Sequence, residues 1–237
     1  ISMIKLSKHF HRLLEGAWDP TILPLSQRLG FQPNTSTPFS GRLDVVTGMD
    51  KIILLPSNQL QKSHPDVKVD FSSLAKGYAV DEILKIIQSS WVYGAYVDIG
   101  GDIRSMGYKH SDQKWKIGIQ APQLKSSIIE IVYAKDIALA TSGNYLNFID
   151  KEDQQIGHIL DPRTQSPIDH SLVSVSVIST SCVSADALAT GLFVMGTEAS
   201  QNWLSKHSEY PVLLIEKRSN GELKSHFING FESYLKN

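Results

Sequence analysis

The sequence predicts an α+β fold. Strand-like runs outnumber helical ones, they follow one another instead of alternating with helices, and turn signals such as Asn220-Gly221 join neighbouring runs as hairpins. At 237 residues, 41% hydrophobic and 20% charged, the chain has the composition of an ordinary globular protein and enough length to bury a core. No internal repeat, low-complexity tract or linker divides it, so residues 1–237 read as a single domain. Its net charge is −1, and the Lys and Arg residues are scattered, without the basic stripe that would track nucleic-acid phosphates. No apolar run approaches the roughly 20 residues that span a bilayer, and the first ten residues are too polar for the apolar core of a signal peptide. The lone Cys182 excludes an internal disulfide framework and a cysteine metal cluster, and it reads as a small core residue.

The elements follow in chain order. Ile4, Leu6, Phe10, Leu13 and Leu14 give Ser2 to Glu15 a helical spacing that Gly16 ends. Gly16 to Thr21 is turn-rich, and 32–41 is polar and proline-containing, a surface loop. Lys51 to Leu55 and Val67 to Val69 read as strands with a polar loop over Ser57 to Pro65 between them. From Asp70 the chain passes into a helix that Ser72 or Ser73 can cap, with Ala75, Ala79, Ile83, Ile86 and Ile87 facing inward. Gly77 costs about 1 kcal/mol inside a helix, which makes sense where something approaches the backbone closely. Val92 to Ile99 is a strand that runs into Gly100-Gly101-Asp102 and a hairpin to Ile103 to Gly107. Trp115 to Ile119 and Ile128 to Tyr133 alternate as strands do, Ile137 to Thr141 ends a further strand in small polar residues, and Leu172 to Ile178 is another. Thr197 caps a helix through Leu204, and Val212 to Ile215 pairs across Asn220-Gly221 with the strand near Phe227.

Candidate chemistry gathers at Ser184 to Gly196. Ser184 is a natural cap and Gly196 a natural stop, and Asp186 and Thr190, four apart, put their oxygens on one helix face near its positive end. Either this is an ordinary capped helix or that face holds a hard cation. Lys76 near the start of the earlier helix is unfavourable against the dipole unless an anion lies nearby. Thr141, Ser142 and Gly143 end a strand with hydroxyls and N–H groups that suit a phosphate, or simply a turn. His158 and Asp161 flank Ile159 and Leu160, placing an imidazole and a carboxylate close in sequence. No GxGxxG or GxxxxGK[ST] spacing occurs, so nucleotide binding through those loops is not indicated.

Gly16-Ala17-Trp18-Asp19-Pro20-Thr21, Ala75-Lys76-Gly77-Tyr78-Ala79-Val80-Asp81 within Asp70 to Asp81, Gly100-Gly101-Asp102, Ala140 to Tyr145, His158 to Thr164 and the Ser184 to Gly196 helix, in this order, resemble the signature of the ApbE family of FAD:protein FMN transferases. The resemblance implies mostly antiparallel sheets with packed helices, a T-fold-related domain. It implies Mg²⁺-dependent cleavage of FAD, with FMN passed to a threonine hydroxyl of an acceptor flavoprotein and AMP released. Asp186 and Thr190 match metal ligands, with the main-chain carbonyl of Ser73 a third. This is an oxygen donor set of the kind Mg²⁺ prefers. Ala17, Trp18, Asp19, Asp70, Lys76 and Ile159 match FAD contacts, and Thr141 and Ser142 join them as candidate binding residues. His158 is the candidate general base, with Asp161 orienting it or approaching a second metal.

Departures from the family pattern are local. Ser72-Ser73 stands where glycine or alanine is common, Gln165 where glycine follows Asp-Pro-x-Thr, and Asn144 where aspartate is frequent. The family's further N-terminal segment, which brings a methionine and an aromatic residue to the flavin, is not found in this chain. Two other activities fit the same residues: hydrolysis of FAD to FMN and AMP, and flavin binding without catalysis. By resemblance the location is periplasmic or membrane-anchored.

Overall fold

A computed structural model describes residues 1–31, 39–89, 91–122, 127–143, 148–151 and 154–236. In chain order its helices are α1 (Ser2–Leu13), α2 (Leu23–Leu29), α3 (Ser72–Gln88), α4 (Cys182–Met195) and α5 (Thr197–Leu204). The strands are β1 (Ile52–Leu55), β2 (Gln59–Lys62), β3 (Gly94–Ile99), β4 (Asp102–Gly107), β5 (Trp115–Gln120), β6 (Ile128–Ala134), β7 (Ala138–Gly143), β8 (Phe148–Lys151), β9 (Gln154–Gly157), β10 (Leu160–Asp161), β11 (Ser166–Pro167), β12 (Leu172–Ser179), β13 (Val212–Lys217) and β14 (Leu223–Ile228). The expected α+β class with antiparallel sheets is the observed one: every strand pair among the described residues is antiparallel.

The chain divides into two compact units, residues 1–72 with 146–169, and residues 73–145 with 170–237. In the first, Ile4, Leu25, Leu43, Val46, Met49, Ile52, Val67 and Leu160 form a buried apolar cluster. Val67 reaches that cluster from irregular backbone, so the expected strand at Val67 to Val69 is absent. Apolar side chains can be buried without a ladder partner. The expected polar loop at Ser57 to Pro65 instead contains β2, which pairs with β1 in the register Ile52↔Lys62 to Leu55↔Gln59 and is exposed throughout. Most of the 32–41 loop, together with Asn144 and Tyr145, lies outside the described residues.

The second unit is built on a six-stranded sheet in the order β14-β13-β12-β7-β4-β3. Alternation along its strands assigns the two faces. Ile103, Leu139, Ile178, Leu213 and Ile215 pack on one face with Ile117, Ile119 and Val132 of the β5–β6 hairpin and with Phe231. The other face, carrying Ala138, Ala140, Val175 and Val177, receives α4. Both faces of β12 are therefore covered, which is why it reads as a nearly continuous buried run. Helix α4 is buried on nearly every side, and its sequence is correspondingly apolar all round. Cys182, its first residue, is fully buried, and burial, then Asp102, pushes its thiol pKa up. Thr197 is the first residue of α5 rather than its cap, a place taken by Gly196. Among the described residues no helix is long and apolar enough to cross a membrane.

Candidate functional site

In the second unit the site begins with how α4 starts. The helix begins at Cys182, capped by Ser181, two residues before the expected start at Ser184. Its four leading N–H groups all find partners. Cys182 and Val183 donate to the two carboxylate oxygens of Asp81 at 2.9 and 3.0 Å, Ser184 to Ser181 Oγ at 3.3 Å, and Ala185 to the Ser181 carbonyl at 3.1 Å. Asp186 consequently lies one turn into the helix, with Thr190 one turn further along the same face.

Helix α3 meets this start closely. A Cβ on Gly77 would lie 2.5 Å from the Cys182 carbonyl oxygen and 2.8 Å from Val183 Cα, so only glycine admits the approach. That contact accounts for the glycine inside the helix, and it lets the Gly77 N–H donate to Asp186 Oδ2 at 3.1 Å. Ser73, one turn earlier, leaves helical torsions at φ −91°, ψ 21°, and so is the point at which α3 bends away from regular geometry. Ser72 is the first helical residue rather than a cap, and its N–H donates to the Asp70 carboxylate at 2.8 Å.

The ammonium of Lys76 hydrogen-bonds Asp102 Oδ2 and lies 3.8 Å from Asp186 Oδ1. Both carboxylates are buried, with Asp102 and Asp186 each 3% exposed. Asp102 stood in the sequence in a hairpin turn and in the family signature but was given no role in the site, and it is the site residue that sequence reasoning missed. Gly100 and Gly101, both at positive φ, make the tight turn that returns the chain so that Asp102 opens β4. Burial, reinforced by the charge of Asp102, pushes the Asp186 carboxyl up to about 7. Burial opposes the charge on Lys76, but Asp186 and Asp102 together outweigh it and raise its pKa. Two buried carboxylates thus share one cation.

Ser142 completes the cluster. Its hydroxyl is 3.0 Å from Thr190 Oγ1, on the sheet face that receives α4. Thr141 projects to the opposite face and bonds Ser176 Oγ at 2.8 Å, so the two adjacent candidates are not brought together. If the Thr190 proton goes to Ser142, the threonine oxygen keeps its lone pairs for another partner. Among the described residues no group of three or more His, Cys, Asp or Glu side chains is placed to hold a metal. The oxygen donors on this face of α4 are a carboxylate and a hydroxyl, and α3 reaches the carboxylate through the Gly77 N–H. Hard, oxygen-rich and short of positive charge, this set fits Mg²⁺.

In the first unit, Ala17 and Trp18 are 1% and 2% exposed, so neither residue presents appreciable surface. Asp19 caps a short 3₁₀ turn, accepting from Thr21 N–H at 2.8 Å and Thr21 Oγ1 at 2.5 Å, while its other oxygen is 3.2 Å from His11 Nδ1. The Asp19 hydrogen bond raises the His11 pKa, against burial. Thr21 Oγ1 accepts in turn from Gly48 N–H at 2.6 Å. Asp19, Thr21, Gly48, Arg163 and Gln165 line a cavity of about 210 Å³. The Asp70 N–H donates to the Pro20 carbonyl at 2.7 Å, tying this turn to the approach of α3.

His158 is half-buried at the bend between β9 and β10, and Ile159 beside it is half-buried. Both oxygens of Asp161 accept from Arg163, whose Nε is at 3.0 Å and Nη2 at 2.8 Å, and Arg163 N–H adds a third bond at 2.9 Å. Asp161 therefore acts visibly as the organiser of its own turn. Gln165 adopts φ +55°, which explains the usual glycine at this place, and its amide donates to Thr47 Oγ1 at 3.2 Å.

The ApbE family model matches residues 1–214. An FAD:protein FMN transferase of Vibrio cholerae is 35% identical over 99% of this chain and 72% of its own length, and one of Salmonella typhimurium is 32% identical over 93% of this chain and 65% of its own. This chain thus spans about two thirds to three quarters of those relatives. Among solved structures, the flavin transferase ApbE from Vibrio cholerae superposes with a TM-score of 0.84 at 34% identity, covering 99% of this chain and 76% of that one. The apo flavinyl transferase ApbE of Pseudomonas stutzeri gives 0.85 at 26% identity, covering 99% and 74%. Family model, sequence relatives and fold agree, and the chain belongs to the ApbE family.

Proposed function

We propose that this chain is an FAD:protein FMN transferase that depends on Mg²⁺ and uses a threonine hydroxyl of an acceptor protein. The observation that carries the reading is the meeting of Lys76, Asp102, Asp186, Thr190 and Ser142 beside the start of α3. It is an oxygen-rich cluster of two buried carboxylates and two half-buried hydroxyls with a lysine at its edge, in a chain whose named relatives are FAD:protein FMN transferases. Asp186, Thr190 and the Ser73 carbonyl would hold Mg²⁺, which when bound offsets charge developing on the attacked phosphoryl group.

The chain's own residues do the rest. An ammonium carries three donors, so Lys76 can hold Asp102 and still offer a hydrogen to a phosphate oxygen of FAD. Ser142 orients the Thr190 hydroxyl. Asp102 holds Lys76 charged and in place. In the transfer the threonine oxygen bonds to the phosphorus of the FMN half, the pyrophosphate P–O bond breaks, and AMP leaves with the bridging oxygen. The hydroxyl proton passes to His158, the base of this reading. Ala17, Trp18, Asp19, Asp70 and Ile159 are the further FAD contacts that the family resemblance implies. By family resemblance the working compartment is the periplasm or its membrane surface, which cell fractionation would test.

The activity test is direct. The chain is incubated with FAD, Mg²⁺ and a threonine-containing acceptor domain, and AMP release is followed together with covalent flavin on the acceptor. Flavin on the acceptor in step with AMP is expected. AMP with only free FMN would replace transfer by hydrolysis, and FAD binding without AMP would leave a binder.

A further inference from the structure

Asp81 is 5% exposed and lies outside the set of groups assigned to metal or flavin. Its carboxylate touches three elements at once. It sits on α3, accepts the first two N–H groups of α4, and takes a 2.6 Å bond from Arg104 Nη1 on β4. Those are the same three elements that carry the candidate site: Ser73 and Lys76 on α3, Asp102 on β4, Asp186 and Thr190 on α4. Ser181 caps the Ser184 N–H locally, and the bonds from Asp81 satisfy the two N–H groups before it. What they add is register between helices, because Asp81 is about a hundred residues away in sequence. One turn earlier on α3, Gly77 allows the contact and bonds Asp186 directly. The negative carboxylate is offset where it is buried by Arg104 and by the positive end of α4.

We infer that Asp81 is a positioning residue for the divalent-cation end of the site, clamping α3, β4 and α4 so that the Ser73, Asp186 and Thr190 oxygens keep one geometry. This rests on the reading that Asp186 and Thr190 hold such a cation. An asparagine at 81 keeps the shape but has one acceptor oxygen for three donors, and its NH₂ group opposes an N–H or Arg104. A glutamate restores the charge on a longer stem.

The test uses Mn²⁺ alone as probe, titrated into the whole chain and read by electron paramagnetic resonance, with thermal melting followed beside it. Asp81→Asn should remain folded and bind Mn²⁺ about 10- to 100-fold more weakly, the range seen when groups that orient metal ligands are removed. Asp81→Glu should recover part of that loss. A merely structural role would lower the melting temperature and leave the dissociation constant of the folded fraction unmoved, and this result would overturn the inference. Should Asp81→Asn not fold, Asp81→Glu decides alone: unchanged Mn²⁺ affinity overturns the inference, and weakened affinity with a cooperative melt supports it. Asp186→Ala separates the two layers. If it binds Mn²⁺ as the unaltered chain does, or the unaltered chain binds none, the cation reading itself fails and the inference falls with it. If Asp186→Ala loses the ion and Asp81→Asn does not, only the inference fails.

Discussion

At the scale of single residues, two carboxylates are held by their neighbours: Asp161 accepts from Arg163, and Asp19 accepts from Thr21 beside His11. His158 is half-buried at the bend between β9 and β10. His158→Gln should lower flavin transfer by about 10²- to 10⁴-fold, the usual worth of a general base, and leave FAD affinity within a few-fold. Loss of FAD binding, measured by flavin fluorescence, would instead make His158 a ligand contact. The His11–Asp19 pair has its own pH signature. Its folded pKa lies above the ordinary 6.5 because of the Asp19 hydrogen bond, so the stability it adds is complete below pH 6.5 and fades as pH rises through the folded value. With the pair partly solvated, His11→Gln should cost under about 1 kcal/mol near pH 6 and less at pH 9. Chemical denaturation at the two pH values reads the difference, and an equal loss at both would remove the charge from the explanation.

At the scale of elements the decisive contact is α3 against the start of α4. Gly77→Ala would drive a methyl group into the Cys182 carbonyl, and the forced separation should cost about 1–3 kcal/mol. A thermal melt within a degree of the unaltered chain would show that the helices part freely. Part of this was legible beforehand, but the face of α3 expected to point inward was not: Ala75, Ile83 and Ile86 are exposed, and Leu74, Gly77, Val80, Asp81 and Leu84 are the buried residues. The glycine inside a helix implied a close approach, the i, i+4 pair Asp186 and Thr190 fell on one face, and the glycine pair before Asp102 marked a hairpin. The partner of Gly77 was not legible, nor was the start of α4. Ser181 and Ser184 are equally good caps in sequence, and the choice rests on N–H acceptors that Asp81 supplies from a distant segment. Strand β2 escaped notice for a related reason. Its Gln-Leu-Gln-Lys is exposed throughout and has no buried face to pattern it. Convergence of Asp102 with Asp186 on Lys76 is a tertiary fact with no local signal.

At the scale of the whole molecule, each of the two units contains a buried apolar cluster of its own among the described residues. Leu25→Ala in one and Leu213→Ala in the other should each cost about 2–5 kcal/mol, and with no shared cluster the costs should add within about 0.5 kcal/mol. Urea denaturation of the two single variants and the double variant measures this. A coupling above 1 kcal/mol would mean that the clusters respond as one. The whole chain also has a single cysteine, and Cys182 is shut inside α4 with its thiol held protonated by burial and by neighbouring carboxylates. To maleimides and spin labels the folded protein is therefore blank. An exposed Ser219→Cys would be the one position that such a reagent marks, giving a distance or fluorescence probe without first removing a native thiol.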